Sequence, residues 1–256
     1  MFRVLAVLAA VAPAVLASVL PGESCGYFGY ATPEPSALAV LVHSVSAWAA
    51  RLLPVVLASA WLWLPRRFPV LGAAASGVVL LLGGVTFVVP YTSVCGTTRG
   101  VWVTVVTAAV ATAACVLARR DAAPRPIPPA VAAAWTAVLA LVCGRYVSYL
   151  LTRDDADAAG CFADLKGAWA LWWMRLDDAE AYGLWVGVAA LGCVLVTGWA
   201  ARAAAVALLV PALYVPAATL LSGVSPGCSG LPALVVWPYV AAAAVGVLTG
   251  TRRAVS

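Results

Sequence analysis

The chain has 256 residues, 64% of them hydrophobic and 10% charged, with a mean hydropathy of +1.02 and a formal charge of +5. A water-soluble globule carries about a quarter charged and about half apolar residues, so that class is excluded. Asn and Gln are absent, which rules out N-glycosylation, and the bias toward Ala, Val, Arg, Gly and Pro points to a GC-rich bacterial source.

A bilayer core about 30 Å thick is crossed by about 20 apolar residues in a helix, and in lipid a helix satisfies all of its own backbone groups. Eight stretches qualify: 4–20, 37–64, 69–90, 101–118, 130–151, 183–201, 203–222 and 232–249. The fold class expected is therefore an all-α polytopic membrane protein with eight transmembrane helices.

The first stretch follows Met1-Phe2-Arg3 and also suits a signal peptide cleaved after Val15-Leu16-Ala17. An internal repeat, described below, gives it a counterpart and favours retention. The second stretch carries His43, Ser44, Arg51 and Pro54. Arg51 lies near its middle, where a guanidinium costs a few kcal/mol or more. Pro54 cannot donate to the carbonyl of Ala50, so a freed oxygen is expected beside that charge. The third and fourth stretches are almost wholly apolar. A Pro/Arg-rich linker at 121–129 then joins residues 1–120 to residues 130–256.

The fifth stretch holds Arg145 and Tyr146 two turns from its outer end, where snorkelling to the interface competes with a buried role. The connection from Thr152 to Tyr182 carries Asp154, Asp155, Asp157, Trp169, Trp172, Trp173, Asp177, Asp178 and Glu180. Tryptophan at this density suits an interfacial segment, and the acids are expected in water. No acid then lies within a span, so a proton-driven mechanism lacks its usual parts.

The charges between spans fall into two sets. One holds nine arginines (Arg3, Arg66, Arg67, Arg119, Arg120, Arg125, Arg202, Arg252, Arg253) against Asp121 alone; the other holds four cations against nine acids. Positive loops stay inside, so both termini are expected in the cytoplasm. The basic balance is a topology signal and implies no nucleic-acid partner.

Cys25 precedes Arg66 by 41 residues, as Cys161 precedes Arg202; Cys95 precedes Arg119 by 24, as Cys228 precedes Arg252. These spacings predict two four-helix halves of the same orientation, related by a pseudo-twofold axis along the membrane normal. Cys25, Cys95, Cys161 and Cys228 fall one in each outer loop and are expected to form two structural disulfides, Cys25–Cys95 and Cys161–Cys228. Cys115, Cys143 and Cys193 fall within spans as small apolar packing residues. No Cys-x-x-Cys pair supports redox catalysis, and a single His with no clustered ligands implies no metal. No nucleotide or cofactor motif is present.

The function expected is a small permease or channel-like protein in the bacterial plasma membrane. Its solute path would follow the pseudo-twofold axis, with Arg51, His43 and Arg145 as substrate-binding residues for an anionic or amphipathic solute. The alternatives are a membrane-embedded enzyme acting on a lipid at the outer leaflet, with Asp177, Asp178 or Glu180 as acid or base, and a non-catalytic accessory or immunity subunit. Lipids are expected partners in every case, and in the last a membrane protein would bind the outer loops. Transport is favoured over catalysis.

Overall fold

The computed structural model describes residues 1–19, 36–89, 98–121, 127–158, 176, 179–196, 198–222 and 236–251, and no strand occurs among them. Two compact units divide the chain, Met1–Arg125 and Pro126–Ser256. Four helices are long and apolar enough to cross a membrane: Ala37–Trp63, Phe68–Val88, Val101–Arg120 and Pro129–Leu151.

The first unit contains α1 (Phe2–Val19), α2 (Ala37–Trp63), α3 (Phe68–Val88) and α4 (Thr98–Leu117), the last running into a 3-10 turn at Ala118–Arg120. Ser36 caps α2, its hydroxyl accepting from the Ala39 N–H at 3.2 Å. The helices touch in a ring, α1 on α2, α2 on α3, α3 on α4 and α4 on α1. Small residues set the approach of α3, whose buried positions are Phe68, Gly72, Ser76, Val79, Gly83 and Thr86 at helical spacing. A Cβ on Gly72 would stand 2.7 Å from Cys115 Sγ, and one on Gly83 would stand 2.9 Å from a methyl of Val105. The Thr112 hydroxyl donates to Ser76 Oγ across this contact at 2.9 Å.

The α2–α3 corner turns at Leu64–Arg67, where Pro69 in the first turn of α3 fixes φ without losing a helical bond. The Trp61 and Phe68 rings meet edge-on across this corner at 5.9 Å. The Arg3 guanidinium lies 4.6 Å from the Trp61 centroid, and Asp121 holds Arg3 at 3.7 Å and the Met1 ammonium at 3.3 Å.

The second unit contains α5 (Pro129–Ala158), α6 (Leu184–Leu195), α7 (Trp199–Ala207), α8 (Leu209–Ser222) and α9 (Trp237–Thr251). Here α5 packs on α6, α6 on α7, and α9 on α5, α7 and α8. Two expected boundaries are corrected. Helix α5 continues through Ala158, so the connection expected to start at Thr152 begins as helix. The expected spans 183–201 and 203–222 do not form as two continuous helices.

Helix α6 has 12 residues, about 18 Å at 1.5 Å per residue. It is bounded by Gly183 (φ 77°) at one end and by Val196 (φ 54°) and Gly198 (φ 96°) at the other. Gly tolerates such φ values, whereas a β-branched Val there is strained. The surroundings hold it: the Trp135 indole N–H donates to the Val196 carbonyl at 2.9 Å. Trp135 is fully buried. Its ring fills a slot that a methyl on Gly192 would overlap, and a Cβ on Gly246 would stand 3.4 Å from the same ring. Cys193 Sγ contacts the Trp135 carbonyl at 3.6 Å. The second break, at Leu208, lets Pro211 fall in the first turn of α8, where its missing N–H breaks no helical bond.

Cys115 and Cys193 are buried free thiols and Cys143 is half-buried and free. Cys25, Cys95, Cys161 and Cys228 lie outside the described residues, and so do their expected pairings.

Candidate functional site

The buried face of α5 reads Trp135, Val138, Leu139, Val142, then Arg145, Tyr146 and Tyr149. Spacings of three and four carry one stripe along the helix, and after four apolar positions the stripe becomes polar. Arg145 is thereby aimed into the second unit. Its side chain is 1% exposed, which excludes snorkelling.

The partner of Arg145 is Glu180, in the helical turn 179–181 just before α6. Arg145 Nη2 stands 3.1 Å from Glu180 Oε1, and the carboxylate side chain is 8% exposed. The Tyr239 hydroxyl, at the start of α9, donates to the same oxygen at 2.8 Å. The Arg145 guanidinium lies 5.6 Å from the Tyr149 ring centroid and 5.8 Å from that of Tyr239, so two aromatic faces flank the cation. Tyr146 fixes the backbone that presents Glu180. Its hydroxyl donates to the Ala181 carbonyl at 3.1 Å, and its ring lies against Gly183, where a Cβ would stand 3.6 Å away. Positive φ at Gly183 turns the chain from the Glu180 segment into α6.

The sequence reading misplaced one member of this cluster and did not single out another, Tyr239. Glu180 was expected among solvated outer acids and is buried and paired instead, so an acid does line the helix packing. Two signals could have found it. Ala179 and Ala181 flank it as small residues, and both are buried; and a buried Arg145 calls for an acidic partner. Tyr239 carried no signal beyond its place at the head of an apolar stretch.

In the first unit, Arg51 is the fifteenth residue of the 27-residue α2. It is half-buried, and its guanidinium lies 5.7 Å from the Trp48 centroid, one turn away. Among the described residues it makes no ion pair. Pro54, three positions on, is buried within the same helix. His43 sits two turns before Arg51, and its Nε2–H donates to the Val89 carbonyl at 3.0 Å, tying α2 to the end of α3. Arg51 and His43 thus share α2, whereas Arg145 belongs to the second unit.

The donor sets favour oxyanions. A guanidinium recognises carboxylate or sulfonate through paired N–H groups; Arg145 lies buried between two aromatic rings, whereas Arg51 is half-buried beside one. No group of three or more His, Cys, Asp or Glu able to hold a metal occurs among the described residues. Comparison of the chain with protein-family models, with curated proteins and with solved structures finds no match.

Proposed function

We propose that the chain is a small permease of the bacterial plasma membrane that handles an anionic or amphipathic solute. It crosses the bilayer eight times, the sixth and seventh crossings being made by the interrupted helices α6 and α7–α8 rather than by continuous spans, with both termini in the cytoplasm and two four-helix halves of one orientation, each braced outside by a disulfide, Cys25–Cys95 and Cys161–Cys228. Two observations support the repeat. The Cys-to-Arg spacings recur, and the helix contacts close in the same cyclic order in each unit, with α7 and α8 together taking the place that α3 holds in the first.

Arg51 carries the functional reading. A guanidinium midway along a 27-residue apolar helix costs about 3 kcal/mol or more in a bilayer. Its described contact is the Trp48 ring, which offsets part of that cost but supplies no negative charge. A fixed cation at that depth is complementary to an anion in transit, as charged rings are in anion-selective pores. His43 on the same helix, and Arg145 in the second unit, are the secondary substrate-binding positions.

Native mass spectrometry of the detergent-purified protein tests the ligand class. Wild type is expected to retain a small anion or acidic amphiphile that Arg51→Ala loses while remaining folded. Equal occupancy in the two proteins would remove Arg51 from the binding site.

A further inference from the structure

We propose that one end of the first unit, where the α2–α3 corner meets the close of α4, is a docking surface for anionic phospholipid headgroups. The arginine pairs Arg66/Arg67 and Arg119/Arg120 hold the lipid phosphate. This face plays no part in the permease proposal and does not rest on it.

The packing of α3 on α4 brings the two pairs together. A Cβ on Gly72 would meet Cys115 Sγ at 2.7 Å, Thr112 donates to Ser76 Oγ at 2.9 Å, and a Cβ on Gly83 would meet a Val105 methyl at 2.9 Å. These three contacts define one antiparallel register. Carried one turn beyond Gly72 and Cys115, it sets the start of α3 level with the 3-10 turn Ala118–Arg120. Phe68 and Ala118 are buried there, whereas the four arginines are exposed. Each pair also ends an exposed stripe: Arg67 leads into Leu71, Ala74 and Val78 on α3, and Arg120 follows Val110, Ala113 and Val116 on α4.

Their level is that of the headgroups. Helix α3 has 21 residues and α4 has 20, about 30 Å of helix each, which matches the hydrocarbon core. The arginines stand directly past both apolar ends. Trp63 and Leu64, exposed at the same corner, suit the membrane interface. Val70 and Val116, exposed one turn further in, offer apolar surface to acyl chains.

The charge at this end is not balanced within the unit. Asp121 is the only acid among the described residues of the first unit, and it is engaged by Arg3 at 3.7 Å and by the Met1 ammonium at 3.3 Å. No acid stands in the first turn of α3. Among the described residues, none of the four arginines makes an ion pair. All four are arginine rather than lysine, and a guanidinium binds a phosphodiester through paired N–H groups. A headgroup with net negative charge is their complement. A zwitterionic headgroup carries its own cation and fits less well, and a soluble phosphate gains nothing from the apolar surface beside the site.

The delipidated full-length protein in detergent, offered phosphatidylglycerol and phosphatidylcholine of identical chains in competition, tests this with bound lipid counted by native mass spectrometry. The wild type is expected to retain phosphatidylglycerol over phosphatidylcholine by at least about tenfold. The fourfold variant Arg66→Gln/Arg67→Gln/Arg119→Gln/Arg120→Gln is expected to bring the two lipids near parity. Arg252→Gln/Arg253→Gln removes two charges elsewhere and should leave the preference unchanged. If the fourfold variant does not fold, the two paired variants replace it, each expected to lose part of the preference. A wild type without preference, or arginine variants that keep it in full, would overturn the proposal. An equal loss in Arg252→Gln/Arg253→Gln would overturn it as well, since net charge and not this surface would then set the preference. Glycerol 1-phosphate, which carries the phosphate without chains, should displace little lipid; displacement as effective as by phosphatidylglycerol would mean a soluble-phosphate site and overturn the lipid assignment.

Discussion

Glu180→Ala is expected to destabilise the protein by about 3 kcal/mol or more, because it removes one partner of a buried ion pair. The magnitude follows from burial at both ends: the Arg145 side chain is 1% exposed and that of Glu180 8%. Tyr239 loses its acceptor in the same variant, adding the cost of a buried hydroxyl left without one. Thermal unfolding in detergent reads the loss. The double variant Arg145→Met/Glu180→Leu should recover a large part of it, since an apolar pair of similar volume carries no uncompensated charge. That ordering, with the single substitution worse than the double, distinguishes a buried pair from a solvated one. A Glu180→Ala protein as stable as wild type would mean that the carboxylate is not paired.

A second large effect is expected at Gly192→Ala. The added methyl would overlap the Trp135 ring, which is fully buried and hydrogen-bonded to the strained Val196 carbonyl. Overpacking of this kind costs about 1–3 kcal/mol, and displacing the indole would also leave the Val196 carbonyl without its donor. Gly77→Ala is the control. It too lies within a helix, but nothing stands within 4 Å of its would-be Cβ, so a change within about 0.5 kcal/mol is expected. Trp135→Phe isolates the hydrogen bond by keeping a ring in the slot; a loss of about 1 kcal/mol is expected, read by the same unfolding measurement. Equal stability of Gly192→Ala and Gly77→Ala would contradict the slot.

Apolar run length located most of the helices, because a span needs about 20 apolar residues and little else. Helices α2, α3 and α4 fall where the runs 37–64, 69–90 and 101–118 placed them. The region after Gly183 is less legible in the sequence, for a physical reason. Run length registers hydrophobicity, and the breaks at Val196–Gly198 and Leu208 interrupt backbone geometry without interrupting hydrophobicity. Gly198 was a visible cue and Pro211 another, but Val196 was not, since positive φ at a β-branched residue is imposed by tertiary contacts such as the Trp135 hydrogen bond.

The candidate site was legible in part. Arg51 and Arg145 stood out as charges within apolar runs, and the α5 stripe from Trp135 to Val142 shows why Arg145 turns inward. Glu180 was hidden among Asp177, Asp178 and the earlier aspartates, whose composition reads as a solvated loop. Pairing between residues 35 apart depends on how α5 and α6 pack, and a single sequence does not specify that.

The most direct test of the central claim is uptake of methanesulfonate and benzenesulfonate, down an imposed inward concentration gradient, into vesicles reconstituted with wild type or with Arg51→Ala. If Arg51 is the fixed charge that draws the anion through the bilayer, wild-type uptake should exceed that of protein-free vesicles, and Arg51→Ala should lower it at least tenfold with the fold intact. Equal uptake by the two proteins would contradict the account.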